Sequence, residues 1–490
     1  MTVLHRVLDE TPCTDLRAYI VAGGGLGLAA ARGVGPGDVI AALEASGLRG
    51  RGGAGFPTAV KWRSILENSS TTTPTAVVVN GAEGEPSTFK DRTIVRNNPY
   101  RVIEGALVAC TVVGASELVI CMKRSFRHEW DRVTRAVAEC VDSGWFDSLK
   151  VRFVAGPDAY LFGEETALLE VAEQRQPFPR VTPPWRRGLD SDGDDDGTPA
   201  IAALASPVDA AGSGAPALVN NVETFANVAL IMRHGAPWFR EVGTADSPGT
   251  IVCTVVGDVR RHGVAEFAMG TPLRSVIDEL GGGALPDRRV IAVLPGASSA
   301  VIGETKLDTA LTHEAMRAAG SALGSAGFRC LDDQTDLFAL THGTARFLAV
   351  ESCGQCSPCK EDGVAVTGLL ASLLDGTAPP DVERVIADHL STVTNEARCS
   401  LATQEQVVVG SLVAMCATAA MPARLDPEAT FTASLSTALL PLVDIVDGVA
   451  VYDSDHLGKQ PDWSHEPTDT GSFPAQRLQG TPVDTDISAG

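Results

Sequence analysis

Positive charge is scarce in this sequence. Lys and Arg together number 39 against 61 Asp and Glu, which gives a net charge of −22 at neutral pH. A protein that binds nucleic acid needs a basic face, so this balance argues against a general nucleic-acid-binding function. Beyond solubility, the acidic charge indicates little about function.

Long apolar runs are also missing. No uninterrupted stretch reaches the about 18 residues expected of a membrane-spanning helix, and no signal-peptide pattern opens the chain. We therefore expect a cytoplasmic protein without direct membrane insertion, which would reach the cytoplasmic side of a membrane only through partner subunits. At 490 residues the chain should hold about three domains.

Cysteine is present and unevenly distributed. Three of the 11 cysteines, Cys353, Cys356 and Cys359, recur at every third position, and Cys399 lies further on. This spacing wraps one loop around a compact cofactor and leaves one corner for a distant ligand, which suits a [4Fe–4S] cluster held by four thiolates. A zinc site, usually built from two separated Cys-x-x-Cys pairs, and metal-free thiols are the alternatives. Small core residues are predicted at Cys13, Cys110, Cys121, Cys140, Cys253, Cys330 and Cys416.

Two glycine-rich segments could bind a nucleotide. Residues 25–30 match a dinucleotide fingerprint, but the expected second strand is missing, so we interpret them as a turn packed before a helix. Residues 47–55 contain five glycines, followed by Pro57 at the start of a predicted helix. Glycines allow close backbone approach to an anion, and Arg49, Arg51 and Lys61 add positive charge. We predict a ligand-binding loop here.

Strands and helices alternate through the first half of the chain. Predicted strands at 76–79, 118–122 and 150–154 are separated by helices at 98–113 and 126–142. This rhythm predicts a doubly wound α/β sheet.

Polar residues follow these elements at positions where such sheets bind ligands. Glu83 and Glu85 follow the first strand, and the paired Glu164 and Glu165 begin a helix. The pair could bind ribose or flavin hydroxyls, or complement the helix dipole.

The second half of the chain has a different pattern. Strands at 250–256, 290–294 and 347–350 predict a small β-rich module, and helices follow over 361–425. The expected division is 1–240 (an α/β domain with a mobile acidic insertion at about 186–216), 241–335 (a small β domain), 336–428 (a helical cluster-binding domain) and 429–490 (a C-terminal arm that binds a partner or is disordered).

Five motifs occur in one order and point to a family: residues 50–57, 83–86, 163–168, 220–224 and 351–359. This set resembles the NADH-oxidising flavoprotein subunit of respiratory complex I and the related modules of NAD-dependent formate dehydrogenases and NAD-reducing hydrogenases. The resemblance covers roughly residues 15–425. It implies an FMN- and NADH-binding α/β domain, a ubiquitin-like β-grasp domain and a helical bundle that carries a [4Fe–4S] cluster.

The resemblance also implies individual roles. The residues expected around FMN are Gly50, Arg51, Gly52, Gly53, Lys61, Asn80, Glu83, Tyr160, Gly163, Glu164, Asn220, Asn221 and Thr224. Those expected to hold NADH are Phe56, Glu85, Glu165 and Trp185, with Glu85 positioning the nicotinamide. No general acid or base is expected, because the flavin carries out the hydride chemistry. The cluster ligands would be Cys353, Cys356, Cys359 and Cys399.

The implied activity is that of an NADH dehydrogenase. A hydride would pass between NADH and FMN, and the cluster would relay single electrons to partner clusters. The expected partners are a small thioredoxin-like [2Fe–2S] protein and a large iron–sulfur protein of the same complex. The parent complex stays open among complex I, formate dehydrogenase and hydrogenase.

Three departures leave a non-redox alternative. Ala82 replaces a usual Asp, Phe162 a usual Cys, and Ser64 lies where an aromatic is usual. Such losses favour a structural paralogue that uses its metal site as an assembly scaffold. A metal-independent nucleotide-binding sensor is a separate alternative, against which the four cysteines argue. In the acidic tail, Trp463, Phe473 and Leu478 are spaced apolar anchors that predict contact with a neighbouring subunit, and a solvated tail is the alternative.

Overall fold

The computed structural model describes residues 3–69, 75–189, 215–418 and 437–460. They form two compact units. The N-terminal unit comprises residues 4–83 and 91–250, and the C-terminal unit comprises residues 84–90 and 251–460 together with residue 3. Most of the predicted acidic insertion and the three apolar anchors of the tail lie outside the described residues. Within the described ranges, no helix is both long and apolar enough to cross a membrane.

The N-terminal unit alternates helices with four strands. The helices are α1 (Leu16–Val21), α2 (Leu26–Arg32), α3 (Pro36–Ser46), α4 (Thr58–Asn68), α5 (Lys90–Asn97), α6 (Pro99–Val113), α7 (Arg127–Asp142), α8 (Glu165–Ala172), α9 (Val222–His234) and α10 (Ala236–Phe239). The strands are β1 (Ala76–Gly81), β2 (Glu117–Lys123), β3 (Lys150–Gly156) and β4 (Ala217–Asn221).

These strands form one parallel sheet in the order β3-β2-β1-β4. The residues of β1 and β2 are almost all buried, as expected when helices cover both faces of a parallel sheet. Helix α6 is buried along nearly its whole length for the same reason. The predicted doubly wound α/β domain is confirmed.

The first glycine segment forms the start of helix α2, and its backbone N–H groups bind a side chain of the protein itself. The backbone N–H groups of Gly25 and Leu28 donate to the carboxylate of Glu104, over 2.8 and 2.9 Å. A Cβ at Gly27 would lie 2.5 Å from the carbonyl oxygen of Ala229, so glycine permits close helix packing. The turn-and-helix interpretation is confirmed. The preceding residues form helix α1.

The C-terminal unit combines a mixed sheet with a helical bundle. Its elements are β5 (Thr250–Gly257), β6 (Gly263–Ala268), α11 (Leu273–Gly281), β7 (Val290–Leu294), β8 (Ile302–Gly303), α12 (His313–Ala318), β9 (Gly327–Asp332), α13 (Leu337–Glu351), α14 (Ser357–Leu374), α15 (Val382–Thr392), α16 (Leu401–Thr418), β10 (Leu442–Val446) and β11 (Val449–Tyr452).

The mixed sheet has the order β6-β5-β9-β7-β8, with β5 parallel to β9 and β7 antiparallel to β9. One apolar cluster joins side chains of its strands with Val276 and Ile277 of α11. A mixed sheet packed against α11 agrees with the predicted β-grasp domain. The predicted strand at 347–350 is wrong, because these residues lie within α13 and are buried there.

The chain beyond the bundle is folded over residues 437–460. Strands β10 and β11 form an antiparallel hairpin, followed by a 3-10 helix over Ser454–Gly458. Leu442 of the hairpin packs with Phe89 and Val256 in a small apolar cluster. Residues 437–460, which fall within the expected arm 429–490, are therefore ordered as part of the C-terminal unit.

Candidate active site

The sheet order of the N-terminal unit defines one crevice. From β1 the chain proceeds through β2 to β3 on one side, whereas β4 lies on the other side of β1. Ligands of open α/β sheets bind outside the carboxyl ends of the strands, at such a switch point. The register places Asn80 of β1 directly beside Asn221 of β4 at this edge. Asn80 and Asn221, although distant in sequence, are therefore neighbours at the predicted ligand-binding edge.

The second glycine segment forms a closed loop before α4. Arg49 pairs with Pro57 in an antiparallel bridge, and the N–H of Gly50 donates to the carbonyl of Phe56 over 2.8 Å. Gly53 and Gly55 have φ values of +128° and +64°, which side chains rarely adopt. The glycines therefore shape the loop itself.

The loop is fastened to the first turn of α9. The N–H of Arg51 donates to the hydroxyl of Thr224 over 2.9 Å. The guanidinium of Arg51 lies 4.0 Å from the carboxylate of Glu223, and both side chains are buried. A Cβ at Gly52 would approach the Cβ of Asn221 to 3.2 Å. The loop thus lies at the carboxyl end of β4, at the switch point.

The other border of the crevice precedes α8. The side-chain amide of Asn80 donates to the carbonyl of Gly163 over 2.9 Å. At Gly163 a Cβ would lie 2.9 Å from the carbonyl oxygen of Ala82, so the two segments approach closely. Tyr160 is half-buried in the 3-10 helix that leads to Gly163.

Glu164 caps helix α8. One oxygen of its carboxylate accepts from the N–H groups of Thr166 and Ala167, over 3.0 and 2.8 Å. This is the helix-terminus role that the sequence left open for the acidic pair.

Glu165 instead pairs with helix α4, which follows the glycine loop. Its carboxylate lies 2.5 Å from the ammonium of Lys61, which stands in the first turn of α4. About a third of the Glu165 side chain is exposed, at 34%. The ion pair joins the two borders of the crevice. Phe56 and Trp185, the predicted nucleotide-stacking residues, expose 53% and 41% of their surface.

Two other predicted residues have structural partners. Glu83 is buried and accepts from the N–H of Asp91 and the guanidinium of Arg92, over 2.9 and 2.8 Å. Asn221 donates to Asp91 over 2.7 Å and caps α9. Asp91 and Arg92 thus organise the site, although sequence reasoning assigned them no role. Their position just after the acidic segment is the signal that could have found them.

Two predicted residues remain. Asn220 accepts from the indole of Trp62 over 3.3 Å. Glu85 belongs to the C-terminal unit, where its carboxylate accepts from the backbone N–H of Ala297.

Two of the three departures from the family pattern share one apolar cluster. Ala82 and Phe162 are both buried in the cluster that includes residues of β1, β2 and β4. Gly156 faces the ring of Phe162, where a Cβ would come within 2.2 Å. The aromatic ring thus fills space where this chain has small neighbours. Ser64 lies on α4 and donates to the carbonyl of Val60 over 3.1 Å.

The cysteine loop lies between α13 and α14. Cys356 is the N-cap of the 18-residue helix α14, a position that favours a thiolate. Cys353 and Cys359 are buried, and Cys356 and Cys399 are half-buried. Burial raises the pKa of Cys359 to about 12, with further contributions from the neighbouring Glu405, Cys353 and Cys356. In the absence of a metal, burial therefore disfavours the thiolate.

None of the four cysteines is in a disulfide. Cys399 lies two residues before α16. Within the described residues, no three His, Cys, Asp or Glu side chains are close enough to bind one metal ion. The four cysteines supply the ligand type that iron–sulfur clusters use, so the chemistry of the donor set fits a cluster.

Comparison with known proteins decides the family. Residues 43–230 match the Nuo51 FMN-binding domain, residues 252–303 an SLBB domain, and residues 339–419 the NADH-ubiquinone oxidoreductase-F iron–sulfur binding region. The NADH-quinone oxidoreductase F-2 subunit of Rhizobium meliloti is 37% identical over 369 residues, which cover 73% of this chain and 82% of the relative. The chain belongs to the family of NADH-quinone oxidoreductase F subunits.

Another member of this family and a solved structure agree. The F subunit of the NADH-quinone oxidoreductase of Streptomyces coelicolor is 34% identical over 408 residues, which cover 81% of this chain and 86% of the relative. An NAD+-reducing [NiFe]-hydrogenase in the H2-reduced state matches with a TM-score of 0.69 and 28% identity, over 82% of this chain and 66% of the hydrogenase chain.

Membership in the NADH-quinone oxidoreductase family confirms several sequence predictions. The three-part fold is confirmed, as is the class of NADH dehydrogenase that uses FMN and a [4Fe–4S] cluster. The individual FMN-, NADH- and cluster-binding residues remain predictions. Of these, the geometry brings together the glycine loop with Lys61, Asn80, Gly163, Glu165, Asn221 and Thr224.

Proposed function

We propose that this chain is the NAD(H)-reactive subunit of a multi-subunit redox complex, and that its active site is the β1–β4 crevice. The proposal rests on one observation, which is that hydrogen bonds and an ion pair connect the elements that border this crevice. These contacts join Asn80 to Gly163, Glu165 to Lys61, and the glycine loop to Thr224. Elements far apart in sequence thus meet at one edge of the sheet.

The flavin would be held by the residues that the family resemblance implies. A side chain at Gly52 would crowd Asn221, so glycine there lets the loop lie close to the start of α9, from where its backbone would approach the flavin. Asn80, Gly163 and Tyr160 would complete the pocket on the opposite border. Glu83 and Asn221 would act through the fixed positions that Asp91 and Arg92 impose on them.

The nucleotide would bind at the exposed part of the site. Phe56 and Trp185 present aromatic surface to solvent, which suits stacking on an adenine. About a third of the Glu165 side chain is exposed, and its carboxylate could accept hydrogen bonds from a ribose. When bound, FMN would exchange a hydride with NADH, and the cluster would carry the electrons singly to a partner.

The proposed partners are those that the family resemblance implies. The relatives are named as subunits of NADH-quinone oxidoreductases, and the matched structure is a hydrogenase. A small thioredoxin-like [2Fe–2S] protein and a large iron–sulfur protein of the same complex would receive or supply the electrons. The expected domain boundaries and a cytoplasmic location are part of this proposal.

Replacing Glu165 by Gln is expected to weaken selection against NADPH. In the wild type, the carboxylate pairs with Lys61 at 2.5 Å, and an added 2′-phosphate would meet its negative charge. The amide removes that repulsion and leaves the ammonium of Lys61 available to the phosphate. The ratio of kcat/KM for NADH to that for NADPH should fall about tenfold, equivalent to about 1.4 kcal/mol. Ferricyanide reduction with each coenzyme measures this ratio.

The matched control is Glu67→Gln, because Glu67 is an exposed carboxylate at the far end of α4. It should leave the coenzyme ratio unchanged. A wild type that oxidises neither coenzyme would contradict the proposed function. A wild type that uses both equally well would contradict only the placement of Glu165.

A further inference from the structure

The last described segment of the chain is fastened to the helix that leads into the cysteine loop. Glu351 is the final residue of α13, directly before Ser352 and Cys353. Its carboxylate oxygen Oε1 lies 2.8 Å from Nε2 of His456 and 2.5 Å from Nζ of Lys459, which is 108 residues further along the chain. The side chains of all three are almost completely buried, at 4% exposed or less. A buried charge without a partner is costly, so His456 and Lys459 compensate the buried carboxylate of Glu351.

A second group of contacts holds the backbone of the same segment. The guanidinium of Arg346 donates to the carbonyls of His456, Leu457 and Lys459, over 3.2, 2.7 and 2.5 Å. These carbonyls end the 3-10 helix, where a positive charge is favourable. The ring of Phe347 stacks on His456 with centroids 5.2 Å apart. The last turns of α13 thus hold residues 456–459 in place through Arg346, Phe347 and Glu351.

The contacts between α13 and residues 456–459 end directly before the cysteine loop. The hydroxyl of Ser352 lies 3.5 Å from the sulfur of Cys359 and accepts from the N–H of Gly354 over 3.3 Å. The side-chain amide of Gln355 donates to the sulfur of Cys353 over 3.3 Å. Fixing Glu351 therefore fixes the residue before a turn whose polar contacts reach two of the predicted ligand sulfurs.

We propose that residues 454–459 are a positioning segment for the iron–sulfur site, acting through Glu351 on the loop that carries Cys353. This role rests on the proposed function, because it assigns to the segment the task of holding a cluster-binding loop in place. Glu351 pairs with His456 and Lys459 where all three side chains are buried, and hydrogen bonds to ionised groups are among the strong ones.

The test compares the full chain with a Lys459→Met variant, both purified anaerobically. Iron release to a chelator should be at least about tenfold faster in the variant, because Glu351 loses the ammonium that compensates its buried charge. The electron paramagnetic resonance spectrum of the reduced cluster should show a broader spread of g values. FMN content should stay unchanged, since the predicted flavin residues of the loop and crevice belong to the N-terminal unit. Lys306→Met is the control, because Lys306 is an exposed lysine of the same unit that donates to the carbonyl of Ala319.

A second variant covers the case in which Lys459→Met fails to fold. The double substitution Glu351→Gln/Lys459→Met removes both charges of the buried pair, and it should fold and retain FMN. It should still release iron faster than the wild type and alter the spectrum. Wild-type release rates and spectra in the folded variants would overturn the positioning role alone. A wild-type chain without iron or acid-labile sulfide would overturn the proposed cluster and this role with it.

Discussion

Replacing Cys356 by Ala is expected to remove the iron–sulfur cluster and leave the flavin in place. Cys356 is the middle thiol of the loop and the N-cap of α14. A [4Fe–4S] cluster needs four thiolates, so the loss of one exposes an iron to solvent and degrades the cluster. Iron and acid-labile sulfide should fall from about four per chain to a small fraction of that. NADH–ferricyanide turnover should persist, whereas electron delivery to the partner protein should stop.

Cys416→Ala is the matched control for this substitution. Cys416 is buried in α16, where its sulfur lies 3.4 Å from the hydroxyl of Thr341, and it is not among the predicted ligands. The control chain should keep its iron. Undiminished iron in the Cys356→Ala chain, or stoichiometric zinc without sulfide in the wild type, would contradict the cluster assignment.

Replacing Glu405 by Gln is expected to flatten the dependence of stability on pH. Glu405 lies on α16 with no exposed surface, and neither carboxylate oxygen has a hydrogen-bond partner in the described part of the chain. A Cβ at Gly363 would lie 2.9 Å from one of these oxygens, so the carboxyl group packs against α14. Burial, and then the charge of Asp362, raise the pKa of Glu405 from 4.5 to about 8. Asp362 is itself bonded to His389 over 2.8 Å.

The sign of the effect follows from linkage. The unfolded chain loses this proton near its ordinary pKa of 4.5, whereas the folded chain keeps it until the pH reaches about 8. Unfolding therefore releases a proton between these values, and the stability of the bundle falls as the pH rises through them. The fall should amount to about 2–4 kcal/mol.

Urea unfolding midpoints at about pH 5.5 and about pH 8 measure the effect on the bundle. The midpoint of the wild type should drop between the two, and that of the Gln variant should drop much less. Glu361→Gln, an exposed carboxylate of α14, should behave as the wild type does. Equal pH dependence in wild type and Glu405→Gln would show that the buried carboxyl group is not protonated at neutral pH.

Sequence patterns predicted the elements of the sheet well. The apolar runs at 76–79, 118–122 and 150–154 are strands, because a parallel sheet covered on both faces makes its strands continuously apolar. The same reasoning failed at 347–350. That run belongs to a buried helix, and a short apolar segment does not distinguish a buried helix from a strand.

The sequence alone did not predict which residues distant in the chain pair with one another. Nothing in the pattern around Glu351 indicates His456 or Lys459 as partners, because periodicity reports only neighbours within one element. The acidic pair at the start of α8 was recognised, but the separate tasks of its members depend on where Lys61 lies in the fold. Position relative to the switch point, which requires the strand order, decides which polar residues can share a site.

An anaerobic titration of the full chain with NADH tests the central claim most directly. Visible absorbance should show a bound flavin that bleaches as NADH is added, and electron paramagnetic resonance should then show a reduced iron–sulfur cluster. Acid extraction of the same sample should release FMN at about one per chain, as the match of residues 43–230 to an FMN-binding domain indicates. A protein that holds FAD or no flavin, or whose flavin is not reduced by NADH, would contradict the account.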